Sequence, residues 1–198
     1  MNNVISITEA TGQVDDHIEW LGENCGINRE IVADWNALKS AAISAGFELE
    51  IASGFRSFDR QLSIWNRKFL GELSVKDTLN NKVDMSLLND KEKTYAILLY
   101  SALPGTSRHH WGTDIDIYAP NLLPNDAHLE LEPWEYQESG YFYTLSNWLN
   151  NNAKSFGFYF PYKEYKGGVA AEPWHLSHIK TSGKFSEALS LKALRQII

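Results

Sequence analysis

Apolar residues recur at helical spacing in several stretches of the chain. The clearest stretch, 29–45, carries Ile31, Val32, Trp35, Leu38, Ala42 and Ala45 at this spacing. Gly46 follows directly, at the position where a helix would end. Ser57 is suited to cap a second helix, which runs to about Leu70 and is ended by Gly71. The remaining predicted helices cover 90–103, 141–154 and the C-terminal residues.

Apolar and polar residues alternate elsewhere, and this second pattern predicts short strands. In 47–51 apolar residues alternate with acidic ones, which suits a strand with one buried face. The predicted strands cover 47–51, 113–117, 158–160 and 174–179. Helices and strands are interspersed without a regular βαβ rhythm, so we expect one α+β domain over 1–198. Its central sheet is predicted to be mostly antiparallel, with flanking helices.

Two stretches show neither periodicity. Residues 72–89 are polar and mixed, and we expect them to form a surface excursion. Residues 120–138 are acidic and aromatic and are interrupted by prolines, which predicts a long loop. We find no internal repeats, linkers or low-complexity segments.

Composition narrows the class of protein and of partner. With 198 residues, 43% apolar and 22% charged, the chain is typical of a single globular domain. The formal net charge of -7, without any basic run, argues against nucleic acid or an anionic membrane as partner.

Cys25 is the only cysteine, so no internal disulfide can form, and the fold must depend on its core or on a metal. The first twenty residues lack the basic and apolar segments of a secretory signal. Apolar runs such as 96–100 are too short to span a bilayer. As written, we expect a cytoplasmic monomer without a transmembrane segment.

Four of the six histidines lie in two short stretches. These are SRHHWGTDID at 107–116 and EPWHLSH at 172–178. A catalytic zinc typically takes three ligands from histidine and carboxylate side chains and leaves a fourth position for water. Together the two stretches supply imidazoles, carboxylates and a spare glutamate, which makes them a candidate metal site.

The first stretch ends in a predicted strand, in which Asp114 and Asp116 share one face and Ile115 and Ile117 the other. Two neighbouring carboxylates repel each other unless a cation or a donor relieves them. A metal at Asp116 would do so. On this pattern alone, a solvated acidic strand face is an equally good interpretation.

In the second stretch Pro173 favours an extended Glu172, so Glu172 and His175 do not form a helical zinc motif. On a regular strand these two side chains would face opposite ways. They could share a site only if the chain turns near the proline. His178 would then lie opposite His175, and His110 opposite His109, and both are expected to be structural or exposed.

Three motifs in order, SGFRS (53–57), SRHHWGTDID (107–116) and EPWH (172–175), resemble the VanY-type D-alanyl-D-alanine carboxypeptidases. The wider group includes D-Ala-D-Ala dipeptidases, lysostaphin and the hedgehog signalling domain. The family pattern S-x-H-x-x-G-x-x-x-D fits Ser107, His109, Gly112 and Asp116, and E-x-W-H fits 172–175. The resemblance extends over about 45–180 and implies a hedgehog-like or D-Ala-D-Ala-peptidase-like fold.

The resemblance also implies roles for individual residues. The implied zinc ligands are His109, Asp116 and His175. Glu172 would activate the water, and Arg56 would stabilise the oxyanion, although taken alone Arg56 would be expected to pair with an acid such as Asp59. The expected substrate contacts are Ser107 and Arg108, on the terminal carboxylate, together with Gln61 and Asp114. Asp114 stands where many relatives have a small residue, which puts fine specificity in doubt.

The implied activity is zinc-dependent removal of a terminal D-alanine from a peptidoglycan stem peptide or muropeptide. A cell-wall endopeptidase and a D-Ala-D-Ala dipeptidase would use the same site chemistry. A non-catalytic zinc-binding module is the alternative from a different class, and the presence of Glu172 and Arg56 argues against it. For a protein that is cytoplasmic as written, action on the cell wall would require export or release by lysis.

Overall fold

The computed structural model describes residues 4–22, 25–190 and 194–195. Its helices are α1 (Ile7–Ala10), α2 (Val32–Ser44), α3 (Phe58–Phe69), α4 (Asp90–Leu98), α5 (Pro133–Tyr136), α6 (Tyr143–Asn152) and α7 (Ile179–Ala188). Its strands are β1 (Ile18–Gly22), β2 (Cys25–Asn28), β3 (Glu50–Ser53), β4 (Asp114–Tyr118), β5 (Phe158–Tyr159) and β6 (His175–His178). None of these helices combines the length and the apolar character needed to cross a bilayer.

The central sheet has four strands in the order β3-β4-β6-β5, and every neighbouring pair is antiparallel. Strands β1 and β2 pair separately, also in antiparallel orientation. Helices lie around the central sheet rather than in a repeating βαβ order. The predicted α+β class with an antiparallel sheet is therefore confirmed.

The main core lies on one face of the central sheet. Ile115 and Ile117 of β4 are fully buried in it. The other fully or almost fully buried members include Trp35 and Leu38 of α2, Leu145 and Leu149 of α6, Phe158 of β5 and Leu176 of β6. The predicted alternation of β4 is confirmed, because its isoleucines face the core and its aspartates lie on the opposite face.

Strand β3 begins three residues later than the alternation of 47–51 predicts. The Phe47 amide donates to the Ala42 carbonyl at 2.9 Å, so Phe47 closes α2 instead of starting the strand. The Glu48 amide donates to the Asn121 side chain, also at 2.9 Å. Pairing with β4 begins only at Glu50, opposite Tyr118. The predicted start of the strand was wrong because the amides of Phe47 and Glu48 bond to Ala42 and Asn121 instead of to a neighbouring strand.

Residues 72–89 form a surface excursion, as predicted, but they also bury two apolar side chains. Val75 and Met85 are buried and pack with Trp65 of α3 and Ile97 of α4 in a second, smaller cluster. The helix predicted over 90–103 ends at Leu98, and the chain beyond it turns. This second cluster holds together α3, α4 and the segment 72–89.

Gly112 ends a short 3-10 helix, Arg108–Trp111, in the left-handed conformation with φ 63°. A Cβ at this position would lie 2.4 Å from the Ile18 side chain and 2.8 Å from the Asn28 amide nitrogen. That amide donates to the Gly112 carbonyl at 2.8 Å. Gly112 therefore brings the β1-β2 pair into close contact with the segment that leads into β4.

We predict that Gly112→Ala destabilises the fold by about 2 kcal/mol or more, because it combines backbone strain with a clash against backbone. The expected fall in Tm is about 4–8 °C, measured with a chelator present so that metal loss does not contribute. Gly183→Ala in α7 is the control, because nothing lies within 4 Å of its added Cβ. An unchanged Tm for Gly112→Ala would contradict the account.

Candidate active site

The pairing of β4 with β6 brings the two halves of the candidate site together. Asp116 lies opposite His175 in the antiparallel register. His109, on the 3-10 helix that precedes β4, completes a buried group of three. One potential ligand atom from each residue lies within 4.8 Å of the others. His109, Asp116 and His175 thus form a buried group that could bind a metal.

Hydrogen bonds to the far side of each imidazole orient it toward this centre. His109 Nδ1 lies 2.9 Å from the Gly54 carbonyl, which leaves Nε2 facing Asp116 Oδ2 at 3.4 Å. His175 Nε2 lies 3.1 Å from Asp114 Oδ1, which leaves Nδ1 facing Asp116 Oδ1 at 3.0 Å. A partner on the outer nitrogen fixes the tautomer and directs the inner lone pair, as in many metal sites.

Two polar atoms at the centre make no hydrogen bond to the rest of the described chain. Asp116 Oδ1 and His175 Nδ1 are buried and contact each other at 3.0 Å. A cation bound between buried polar atoms of this kind would satisfy both. The donor set and the placement of these two atoms therefore fit a divalent metal.

The pKa values of the two histidines indicate which charges the centre carries. Burial lowers the pKa of His109 to about 4, so its imidazole is neutral at neutral pH. Burial also lowers the pKa of His175, but the Asp114 and Asp116 carboxylates outweigh it and raise the value to about 10. At neutral pH, Asp116 therefore lies beside a protonated His175, and a metal bound at the centre would displace that proton.

Asp114 lies behind the centre and is fully buried. Its carboxylate accepts from Arg108 Nε at 2.7 Å, from the Thr113 hydroxyl at 2.8 Å and from the Ser177 hydroxyl at 3.1 Å, besides facing His175. This geometry does not support the expectation that Asp114 contacts the substrate. It orients His175 instead.

Arg108 was expected to bind a substrate carboxylate, and it does line the cavity in front of the centre. Its guanidinium, however, is held by Asp114, by the Ser177 hydroxyl at 2.7 Å and by the Tyr159 hydroxyl at 3.2 Å. The buried Asp114 carboxylate already balances its charge. Arg108 is thus tied to the network around Asp114, whereas Ser107 lines the cavity, and its contact with a substrate stays a prediction.

Glu172 reaches the same cavity because the chain turns at the proline. The His175 amide donates to the Glu172 carbonyl at 3.1 Å, which closes a turn over Pro173 and Trp174. Glu172 Oε2 then lies 3.4 Å from His175 Nδ1. Burial, opposed by nearby His175 and reinforced by Asp116, raises the pKa of Glu172 to about 7. Glu172 and His175 can share a site only if the chain turns near Pro173. The structure contains this turn, which the sequence alone did not indicate.

Arg56 lines the same cavity as Glu172. Its guanidinium donates to Gln61 Oε1 at 2.9 Å and to the Ser53 hydroxyl at 3.2 Å. The sequence alone had suggested an ion pair between Arg56 and Asp59. No such ion pair occurs among the described residues. Gln61 is fully buried and also donates to the Ala102 carbonyl at 2.6 Å. Gln61 therefore holds Arg56 in place rather than lining the cleft.

The neighbouring histidines have structural partners. His110 Nδ1 lies 2.6 Å from the Arg56 carbonyl, and its Nε2 accepts from the Gly105 amide at 3.0 Å. His178 Nε2 lies 3.0 Å from Asp34 on α2. Both histidines point away from the centre, as expected from their positions in the sequence.

The cavity has a volume of about 330 Å³, and residues beyond those predicted from the sequence also line it. Its lining includes side chains that the sequence did not indicate, namely Lys68, Lys76, Tyr100, Glu132 and Tyr162. They come from α3, from 72–103 and from the loops at 120–138 and 160–170. No local motif marks them, because only the folded chain brings these segments together.

Comparison with known proteins identifies relatives. An uncharacterized protein of Haemophilus influenzae is 42% identical over 96 residues, 48% of this chain and 73% of that protein. A D-alanyl-D-alanine carboxypeptidase of Enterococcus faecalis is 27% identical over 170 residues, 84% of this chain but 53% of the relative. This chain thus corresponds to about half of that enzyme.

Solved structures share the fold. A vancomycin resistance D,D-pentapeptidase VanY in complex with Zn(II) is 25% identical with a TM-score of 0.57, over 89% of this chain and 88% of that one. VanYB in complex with D-alanine-D-alanine has a TM-score of 0.60 at 24% identity, over 93% and 90% of the two chains. A family model described as VanY, D-alanyl-D-alanine carboxypeptidase, matches residues 24–181. That match includes all three residues of the metal-binding group, and the chain belongs to the VanY D-alanyl-D-alanine carboxypeptidase family.

Proposed function

We propose that this protein is a zinc-dependent carboxypeptidase that removes the terminal D-alanine from peptidoglycan stem peptides. One observation carries the proposal. The buried His109, Asp116 and His175 group opens into a cavity that Glu172 and Arg56 also line. A metal that activates water, a base that takes its proton and a cation that stabilises the oxyanion together make up the machinery of a metal-dependent peptidase.

Zinc suits the donor set of two imidazoles and one carboxylate, which is typical of catalytic sites that keep one position open. His109, Asp116 and His175 would hold the ion. Bound there, zinc would supply Lewis acidity and lower the pKa of its water from 15.7 to about 7. A zinc complex of a VanY protein with the same fold supports this choice.

Glu172 serves as the general base. Its carboxylate is largely buried beside His175, and its raised pKa suits a group that both takes and returns a proton near neutrality. It accepts the proton of the attacking water and then delivers it to the nitrogen of the leaving D-alanine. No second titratable group is needed for this transfer.

Arg56 stabilises the negative charge that develops on the carbonyl oxygen. The hydrogen bonds from Arg56 to Gln61 and Ser53 fix the guanidinium before substrate arrives, so little reorganisation is required. Burial lowers the pKa of Arg56, which reflects the low-dielectric surroundings in which such a charge acts strongly. Loss of an oxyanion donor of this kind typically costs about 3–4 kcal/mol of the barrier.

The relatives support the choice of substrate class. The E. faecalis relative is a D-alanyl-D-alanine carboxypeptidase, and VanYB binds D-alanine-D-alanine. An endopeptidase or a dipeptidase would use the same metal and base and differ only in how the cavity holds the peptide ends. A non-catalytic metal module would need neither Glu172 nor Arg56 in the cavity, and this disfavours it.

The experiment that tests the proposal is digestion of a defined pentapeptide stem ending in D-Ala-D-Ala. We expect one D-alanine and a tetrapeptide as the only products, identified by mass, and complete loss of activity after chelation with recovery on zinc addition. Release of a dipeptide or of a larger fragment would replace the carboxypeptidase by one of the related cleavages. No cleavage of any stem by the zinc-loaded protein would contradict the proposal as a whole.

Two variants separate the base from the metal ligands. We predict that Glu172→Ala retains about one zinc per chain but loses hydrolysis, because its carboxylate is assigned to the water. His175→Ala should lose both, because its Nδ1 is one of the ligand atoms. Metal content by elemental analysis and the rate of D-alanine release are the two measurements. Loss of metal from Glu172→Ala, with metal retained in His175→Ala, would show that the roles are reversed.

Asp114→Asn is predicted to weaken zinc binding by about 10- to 100-fold, because it removes the carboxylate that orients His175. Chelator competition gives the Kd without reference to activity. Glu164→Gln is the matched control, because Glu164 is an exposed carboxylate paired only with Lys166. Equal zinc affinity of Asp114→Asn and the unmodified protein would mean that Asp114 does not orient the ligand.

A further inference from the structure

Four cationic side chains line the cavity among the described residues: Arg56, Lys68, Lys76 and Arg108. Two of them are balanced by carboxylates. Arg108 is paired with Asp114 at 2.7 Å, and Lys76 is hydrogen-bonded to Glu132. Arg56 is assigned to the developing oxyanion in the proposed reaction. Lys68 is the remaining cation, and it has no role in the proposed hydrolysis.

Lys68 differs from the other lysine of the cavity in its partner. Its ammonium donates to the neutral Ser101 hydroxyl at 2.7 Å. No ion pair of Lys68 occurs among the described residues. Burial and, after it, the charge of Arg56 lower the pKa of Lys68. The ammonium is therefore partly desolvated and held beside another cation, a position that a bound anion would stabilise.

The position of Lys68 also fits the geometry of a carboxypeptidase substrate. Gln61, which holds Arg56, and Lys68 both lie on α3, seven residues apart and hence on one helical face. In the substrate, the carbonyl to be cut and the free carboxylate belong to adjacent residues, about 3.8 Å apart by Cα spacing. Receptors for the two groups must therefore be neighbours, and Arg56 and Lys68 are close enough to influence each other's charge.

We propose that Lys68, held by Ser101, binds the C-terminal carboxylate of the substrate and so selects a terminal residue for removal. This inference rests on the proposed hydrolysis of stem peptides and specifies how the cavity recognises the peptide end. It also replaces the sequence-based expectation that Arg108 binds the carboxylate, since Asp114 already balances Arg108. The Ser107 hydroxyl remains available on the same wall.

The test compares a pentapeptide stem with its amide at the C-terminus, each digested by the unmodified zinc-loaded protein and by Lys68→Met. The unmodified protein should prefer the free acid by on the order of 10- to 100-fold in kcat/KM, the range expected for a hydrogen-bonded charge pair. Lys68→Met should abolish the preference, mainly through a higher KM for the acid, and leave cleavage of the amide unchanged. Lys68→Arg should restore part of the preference.

Lys76→Met is the matched control, because it removes a lysine of the same cavity that Glu132 already balances. It should leave the ratio of acid to amide rates unchanged. Zinc content and Tm are measured for each variant. If Lys68→Met is poorly folded, Lys68→Gln, which keeps a donor for Ser101, takes its place and should show the same loss of preference.

The outcomes separate this inference from the proposed function. Equal preference for the acid in Lys68→Met or Lys68→Gln and the unmodified protein would overturn the role of Lys68 and leave the hydrolase intact. Equal cleavage of acid and amide by the unmodified protein would also overturn it, because no carboxylate would then be recognised. Cleavage of neither peptide by the unmodified protein would contradict the proposed function, and the inference with it.

Discussion

The register between β4 and β6 determines how Asp116 and His175, two of the three candidate metal ligands, meet. Asp116 pairs with His175 and Asp114 with Ser177, so both aspartates share one face with the histidine. A slip of one residue would turn the aspartates into the apolar core. Ile115 and Ile117 prevent this, because they are fully buried on the opposite face. The apolar core on one side of the sheet thus fixes the candidate ligands Asp116 and His175 on the other.

The same register buries two carboxylates, and the protein compensates them in different ways. Asp114 is balanced by Arg108 and by hydroxyl donors, so its burial is satisfied within the chain. Asp116 instead faces the two histidines of the group, with Oδ1 3.0 Å from His175 Nδ1 and Oδ2 3.4 Å from His109 Nε2. In the proposed zinc site, metal binding would therefore stabilise the fold through Asp116, whereas Asp114 is satisfied without a metal.

Periodicity and motif spacing predicted the parts of this arrangement that depend on local sequence. The alternation of 113–117 identified the buried and polar faces of β4, and helices α2, α3 and α6 form close to where their apolar spacing places them. The partners of Asp114 could not be predicted, because Arg108 and Ser177 reach it only after β4 and β6 pair. Burial of Val75 and Met85 was missed for a similar reason, since the segment 72–89 gains its apolar surroundings from α3 and α4.

The cavity has two walls that are stabilised separately. The sheet wall carries the metal-binding group and depends on the main core, whereas the wall built by α3 and 72–103 packs on its own cluster of Trp65, Val75, Met85 and Ile97. Gln61 connects them, since it bonds both the Arg56 side chain and the Ala102 carbonyl. In the proposed hydrolase, substitutions on the α3 side would alter how a peptide is held without moving the side-chain atoms of His109, Asp116 and His175.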